Sequence, residues 1–200
     1  MKIIDKIIEE KIYGIIREDD EKKAFEIANA YIEGGIKVIE LNSSLNVTKK
    51  IVEKFDDVII SQGGIITTQQ AHQALEAGAR IISSPIFQTN LVRFATCYKT
   101  FLIPSTTTPN EAYQAWRSRM PLIKIYPVAE MGGVEYIQDM VKPMPFLNLL
   151  PCGFVKISEI EGYLKAGAKA VGIGRELYAK ENYKEIIEAA KNVVEMVRRI

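Results

Sequence analysis

The chain has 200 residues, 48% of them apolar, which suits one substantial core and is short for two full domains, so a single domain over 1–200 is expected. Twenty-six Lys and Arg against 25 Asp and Glu leave a formal charge of +1, so neither nucleic acid nor an anionic membrane is expected as a partner. No stretch approaches the roughly 18 consecutive apolar residues of a membrane span, and the widely spaced Cys97 and Cys152 read as free thiols, so the expected location is the reducing cytoplasm.

Residues 1–10 place apolar side chains at helical spacing, interrupted by charges, which predicts a short helix and not a signal peptide. Strands are then expected at 13–17, 37–41, 58–61, 80–84, 100–103, 122–125, 146–149 and 170–173. Amphipathic helices separate them, clearest at 20–33, 69–77 and 183–197. Helical patterns ending at Gly34-Gly35, Gly78 and Gly167 place glycine where a left-handed cap precedes the next strand. Eight alternating strand and helix units predict a (β/α)₈ TIM barrel, at the short end of that fold's range. An open doubly wound sheet would need a glycine-rich turn after the first strand, and Arg17-Glu18-Asp19 offers none.

Barrel chemistry sits at the C-terminal ends of the strands. Arg17 ends the first, Glu40 lies in the second between Ile39 and Leu41, and Lys124 lies in the sixth between Ile123 and Ile125. An ammonium in an apolar strand is costly unless paired or neutralised. A desolvated lysine is also the nucleophile that attacks a carbonyl. Glu40 is expected either to pair with a cation or to carry a raised pKa suited to proton transfer. A buried Lys–Glu or Arg–Glu bridge that merely ties strands together explains the same residues.

Other candidates carry ordinary readings. His72 falls on an outer helix, and Trp116 is expected to pack with Tyr113 on its helix or at a subunit contact. Thr108-Pro109 reads as a helix start, although the threonines at 106–108 could also offer hydroxyls to a substrate. Gly132-Gly133 either presents N–H groups to an anion or permits a turn.

The segment 123–133, IKIYPVAEMGG, resembles the lysine motif of the KDPG/KHG aldolase family, the 2-keto-3-deoxy-6-phosphogluconate and 4-hydroxy-2-oxoglutarate aldolases. Further matches fall in the same order along the chain: EGGIKVIEL at 33–41, Gln69-Gln70, EAGA at 76–79, Ser84-Pro85, LIP at 102–104 with Thr108, and AVGIG at 170–174. The resemblance implies a class I aldolase that cleaves a 2-keto-3-deoxy or 2-keto-4-hydroxy acid to pyruvate and an aldehyde, without metal or cofactor, as a homotrimer. It implies Lys124 as the Schiff-base lysine, Glu40 as general acid/base and Arg17 as a polar site residue.

Departures from the family pattern cluster where substrate would be held. Ser44 stands where the family has Arg, and Gly64, after Gly63, where it has Thr; both family residues contact the pyruvate carboxylate. The family's phosphate loop becomes Pro151-Cys152-Gly153-Phe154, and its Gly-Ser pair on the eighth strand becomes Gly174-Arg175. With Pro85, these positions complete the expected substrate contacts: Arg17, Ser44, Gly63, Gly64, Pro85, Cys152, Gly153 and Arg175. Such losses imply either an altered specificity, a different lyase or isomerase reaction at the same lysine, or a barrel that only binds. Arg175 would keep a preference for anions unless it pairs with Glu176, whereas Phe154 removes the bare backbone a phosphate needs.

Overall fold

The computed structural model describes residues 3–200. Eight parallel strands run β1 (Ile12–Arg17), β2 (Val38–Asn42), β3 (Ile59–Gln62), β4 (Ile81–Ser84), β5 (Phe101–Thr106), β6 (Ile123–Ile125), β7 (Leu149–Pro151) and β8 (Val171–Ile173). The first helices are α1 (Ile3–Glu10), α2 (Glu21–Glu33), α3 (Leu45–Lys54), α4 (Thr68–Glu76) and α5 (Thr89–Tyr98). They are followed by α6 (Pro109–Arg117), α7 (Gly133–Val141), α8 (Ile160–Lys165), α9 (Arg175–Tyr178) and α10 (Tyr183–Arg198). Neighbouring strands pair in the order β7-β6-β5-β4-β3-β2-β1-β8, which wraps the sheet into a nearly closed barrel. The ends meet at β7 and β8, where the Lys169 N–H donates to the Leu149 carbonyl at 2.9 Å.

Local chemistry explains why these segments form. Asp20 caps α2 by accepting from the Lys23 N–H at 2.8 Å, and Thr67 with Gln70 forms a capping box at α4. Thr108 with Glu111 does the same at α6, behind Pro109, so the threonine is a cap as its position before proline predicted. Gly35, Gly78 and Gly167 take φ of 93°, 91° and 103°, the left-handed conformation that ends three helices.

Residues of each strand alternate between two apolar environments. Ile39, Leu41, Ile60, Ile123 and Ile173 face the helices. Val38, Ile59, Ile81, Ile103 and Leu122 face inward, and Ile4 and Ile7 of α1 join that inner cluster and close the N-terminal end of the barrel. Two residues further along each of these strands, on the same face, stand Glu40, Ser61, Ser83, Ser105 and Lys124, all buried. The barrel therefore has an apolar floor and a polar layer above it, toward the C-terminal ends.

The seventh strand departs from expectation. It was expected at 146–149 and forms at Leu149–Pro151. Phe146 is exposed, and the Asn148 amide donates to the Pro121 carbonyl at 3.0 Å, so 146–148 enter as a loop. Proline cannot donate to a ladder, but the next residue does, the Cys152 N–H donating to the Ile125 carbonyl on β6 at 2.9 Å. By alternation, the position of the missing Pro151 N–H faces the sparsely bonded β8 side, so no ladder bond to β6 is lost.

Candidate active site

The polar layer converges on Lys124. Its Nζ donates to Glu40 Oε2 at 2.5 Å and to Ser83 Oγ at 2.7 Å, joining β6 to β2 and β4. Asn42 Nδ2 donates to the other carboxylate oxygen, Oε1, at 2.9 Å. The ring centroid of Tyr13 on β1 lies 5.4 Å from Nζ, within reach of a cation–π attraction. Lys124 and Glu40 are 5% and 4% exposed, so their interaction is little screened by water.

Burial pushes the Glu40 carboxyl upward, but the Lys124 charge and hydrogen bonds from Lys124, Asn42 and Ser83 outweigh it and hold the group below its ordinary value. Of the two expectations for Glu40, pairing with a cation is the one observed. The contact allows exchange, although uphill from the ion pair: moving one proton from Nζ to Oε2 yields a neutral amine and a neutral acid within 2.5 Å. The same site thereby holds a nucleophile and a proton donor. Among the described residues no group of three or more His, Cys, Asp and Glu side chains is arranged to hold a metal.

The remaining expected residues spread around the barrel mouth. Arg17 is exposed at the end of β1, and its carbonyl accepts from the Tyr178 hydroxyl at 3.1 Å. Ser44 turns its hydroxyl toward α2, donating to Glu21 Oε1 at 2.5 Å. Gly63 is buried beside Glu40's partner: a Cβ there would meet Asn42 Oδ1 at 2.4 Å, so glycine leaves room for the amide that orients the carboxylate. Gly64 and Pro85 are exposed. Gly153, at φ 97°, lies against Pro127 and the Tyr126 ring, where a Cβ would come within 2.9 Å of both. Arg175 is exposed at the start of α9 and makes no ion pair with Glu176 or another acid among the described residues.

Cys152 lies inside the barrel and not at an open mouth. It is 1% exposed, and burial raises its thiol to about 12, against the opposing pull of Lys124. A thiol so protonated is no nucleophile at neutral pH. Phe154, at φ 55° and 71% exposed, projects from the loop after β7. His72 is on the outer ring beside Glu76, 3.4 Å away. Trp116 packs in part on Tyr113 and Phe146 and stays 40% exposed.

Ser83, Asn42 and Tyr13 are site residues that the sequence alone does not single out. The signal that finds them is period-two alternation, which puts Ser83 and Asn42 on the same inward faces as the pair they touch.

A family model described as KDPG and KHG aldolase matches residues 3–192. A 2-dehydro-3-deoxy-phosphogluconate aldolase from Haemophilus influenzae is 22% identical over 207 residues, covering 98% of this chain and 97% of that one. The fold is shared with a 2-keto-3-deoxy-6-phosphogluconate aldolase of Zymomonas mobilis solved with 3-phosphoglycerate, at TM-score 0.87 and 22% identity over 97% of this chain and 96% of that one. A KDPG aldolase from Legionella pneumophila, with pyruvate captured at low pH as a covalent carbinolamine intermediate, superposes at TM-score 0.82 with 26% identity, covering 91% of this chain and 92% of that one.

Proposed function

This chain belongs to the KDPG and KHG aldolase family, and from that membership we propose that it is a class I aldolase whose Lys124 forms a Schiff base with a 2-keto acid, split reversibly into pyruvate and an aldehyde. The observation that carries the reading is the buried contact of Lys124 Nζ with Glu40 Oε2 at 2.5 Å. It supplies an amine and a proton carrier where water is scarce.

The steps follow from that pair. Glu40 takes a proton from Lys124, and the free amine adds to the substrate's C2 carbonyl to form a carbinolamine. Glu40 returns the proton to the departing hydroxyl, which leaves as water and creates a protonated imine. The imine draws in the electrons of the C3–C4 bond while the Glu40 carboxylate takes the C4 hydroxyl proton, releasing an aldehyde and an enamine. Protonation of the enamine at C3 and hydrolysis of the imine then free pyruvate and restore the lysine. The covalent pyruvate carbinolamine in the Legionella relative is support from a homologue for the first of these steps.

For the rest of the substrate, Ser44 and Gly64 cannot supply the guanidinium and hydroxyl that the family pattern offers a carboxylate. Arg17, the backbone about Gly63 and Gly64, Pro85, and the loop at Cys152 and Gly153 are our candidates for holding it. Arg175, exposed and free of an acid partner, is suited to an anionic distal end, either a carboxylate or a phosphate. We further take the protein to be a cytoplasmic homotrimer acting on this small molecule, with no nucleic acid or membrane partner.

The test is pyruvate release from a panel of phosphorylated, unphosphorylated and dicarboxylic 2-keto-hydroxy acids. Wild type should favour the charged members, Arg175→Ala should lose that preference, and Lys124→Ala should release no pyruvate. Unchanged kcat/KM across the panel in Arg175→Ala removes Arg175 as the anion contact.

A further inference from the structure

Two hydroxyls inside the barrel are idle. Tyr13 Oη and Ser61 Oγ are both buried without a hydrogen-bond partner, although both stand among the groups that hold Lys124 and Glu40. Tyr13 is fully buried, and its hydroxyl is near enough to Ser61 and Glu40 for weak contacts with both, neither of which meets hydrogen-bond geometry. Its ring faces Lys124 Nζ at 5.4 Å. A buried hydroxyl with no partner costs folding free energy, and phenylalanine with alanine would avoid the cost. Two such groups against one carboxylate point to another state of the site in which they are used.

Counting the donors on Lys124 identifies that state. As an ammonium, Nζ carries three N–H groups, of which one goes to Glu40 and one to Ser83. Conversion to a protonated imine places two bonds of Nζ on substrate carbon and leaves a single N–H. Glu40 and Ser83 cannot both keep their donor. Asn42 still serves Oε1 and the Ser83 hydroxyl stays beside the carboxylate, so what Glu40 loses is the charged donor at Oε2, with the idle hydroxyls next to it.

We propose that Tyr13, assisted by Ser61, is a positioning residue that takes over the Glu40 carboxylate once Lys124 has become an imine. The inference rests on the Schiff-base reading above. Tyr13 donates its phenolic hydrogen to Glu40, directly or through Ser61, while its ring face lies toward the iminium charge. Held in this way, Glu40 stays aimed at the substrate's C3 and C4 positions instead of following the lysine. The hydroxyls are idle in the free protein and satisfied in the covalent one.

Pyruvate alone, with the full chain, separates this role from packing. Borohydride reduction reports how much imine forms. Exchange of the pyruvate methyl hydrogens with deuterium oxide, followed by NMR, reports the next step, in which a base removes a C3 proton and the C–H electrons pass to the imine as an enamine. Tyr13→Phe keeps the ring. It should trap pyruvate to within about twofold of wild type and melt no lower, yet exchange about tenfold or more slowly, the scale of a lost hydrogen bond to a charged group.

The acid limb of exchange should also move to higher pH in Tyr13→Phe, because a carboxylate with fewer donors holds its proton more tightly. The titratable groups that interact with Glu40 are Lys124 on β6, Tyr13 on β1 and Cys152 after β7. Lys124 is covalently engaged in this state, and Cys152 is common to both proteins, which leaves Tyr13 as the difference. Ser61→Ala should act in the same direction, and the double variant should lose less than the product of the two effects. Wild-type exchange with an unchanged pH profile in Tyr13→Phe overturns the inference. So does an equal fall in trapping, exchange and melting temperature, which assigns Tyr13 to packing. Wild type that traps no pyruvate overturns the Schiff-base reading and this inference together.

Discussion

At the scale of single residues, Glu40 is decided by the balance between burial and its neighbours. A folded value below the ordinary 4.5 gives stability that is complete above about pH 4.5 and is lost as pH falls through the lower folded value. Glu40→Gln should therefore melt below wild type at neutral pH, with the gap narrowing as acid protonates the wild-type carboxyl. Its turnover should fall by roughly 10² to 10⁴-fold, the range for a lost general acid/base. A variant with wild-type turnover would reduce the pair to a strut. Lys124 and Glu40 were legible in the sequence because a charge between two isoleucines, or between isoleucine and leucine, conflicts with its own strand. Ser83, Asn42 and Tyr13 create no such conflict, since short polar and aromatic residues are common in strands. Only the packed barrel shows what they touch.

At the scale of elements, the seam between β7 and β8 carries the tightest constraint beside the site. A Cβ on Gly172 would meet Cys152 Sγ at 2.1 Å and Ile15 Cδ1 at 3.0 Å, so the bare glycine of β8 makes room for the thiol from the β7 side. Gly172→Ala should destabilise by about 1 to 3 kcal/mol, as overpacking of a full core does. Cys152→Ala in the same chain should recover part of that loss, and denaturant melts of the four proteins in the cycle would measure the coupling. Additive effects would show that the two residues do not compete for one space. The seam is also where reading strands from sequence failed. The apolar run puts the seventh strand three residues early, because it does not reveal which of its residues will be bonded to a neighbouring strand. The helix ends were legible where local chemistry marks them, at the Thr108 cap before Pro109 and at the left-handed Gly35, Gly78 and Gly167.

At the scale of the molecule, eight alternating units predicted the barrel, and a nearly closed ring of eight parallel strands is what forms. That α1 would join the inner cluster was not legible, because its apolar spacing marks a buried face without naming what covers it. Assembly is a further step. Tyr113, Trp116 and Phe146 make an exposed aromatic group with Trp116 and Phe146 ring centroids 4.5 Å apart. Light scattering should return a mass three times that of one chain if the protein is the homotrimer we infer, and the mass of one chain if it is not.

Whether Lys124 forms the covalent bond is read from reduction of the protein with borohydride in the presence of pyruvate, followed by intact mass and peptide mapping. One pyruvate-derived adduct per chain is expected, located on Lys124 and absent from Lys124→Ala. No adduct with pyruvate or with a panel of 2-keto acids, or an adduct on another lysine that persists in Lys124→Ala, would contradict it.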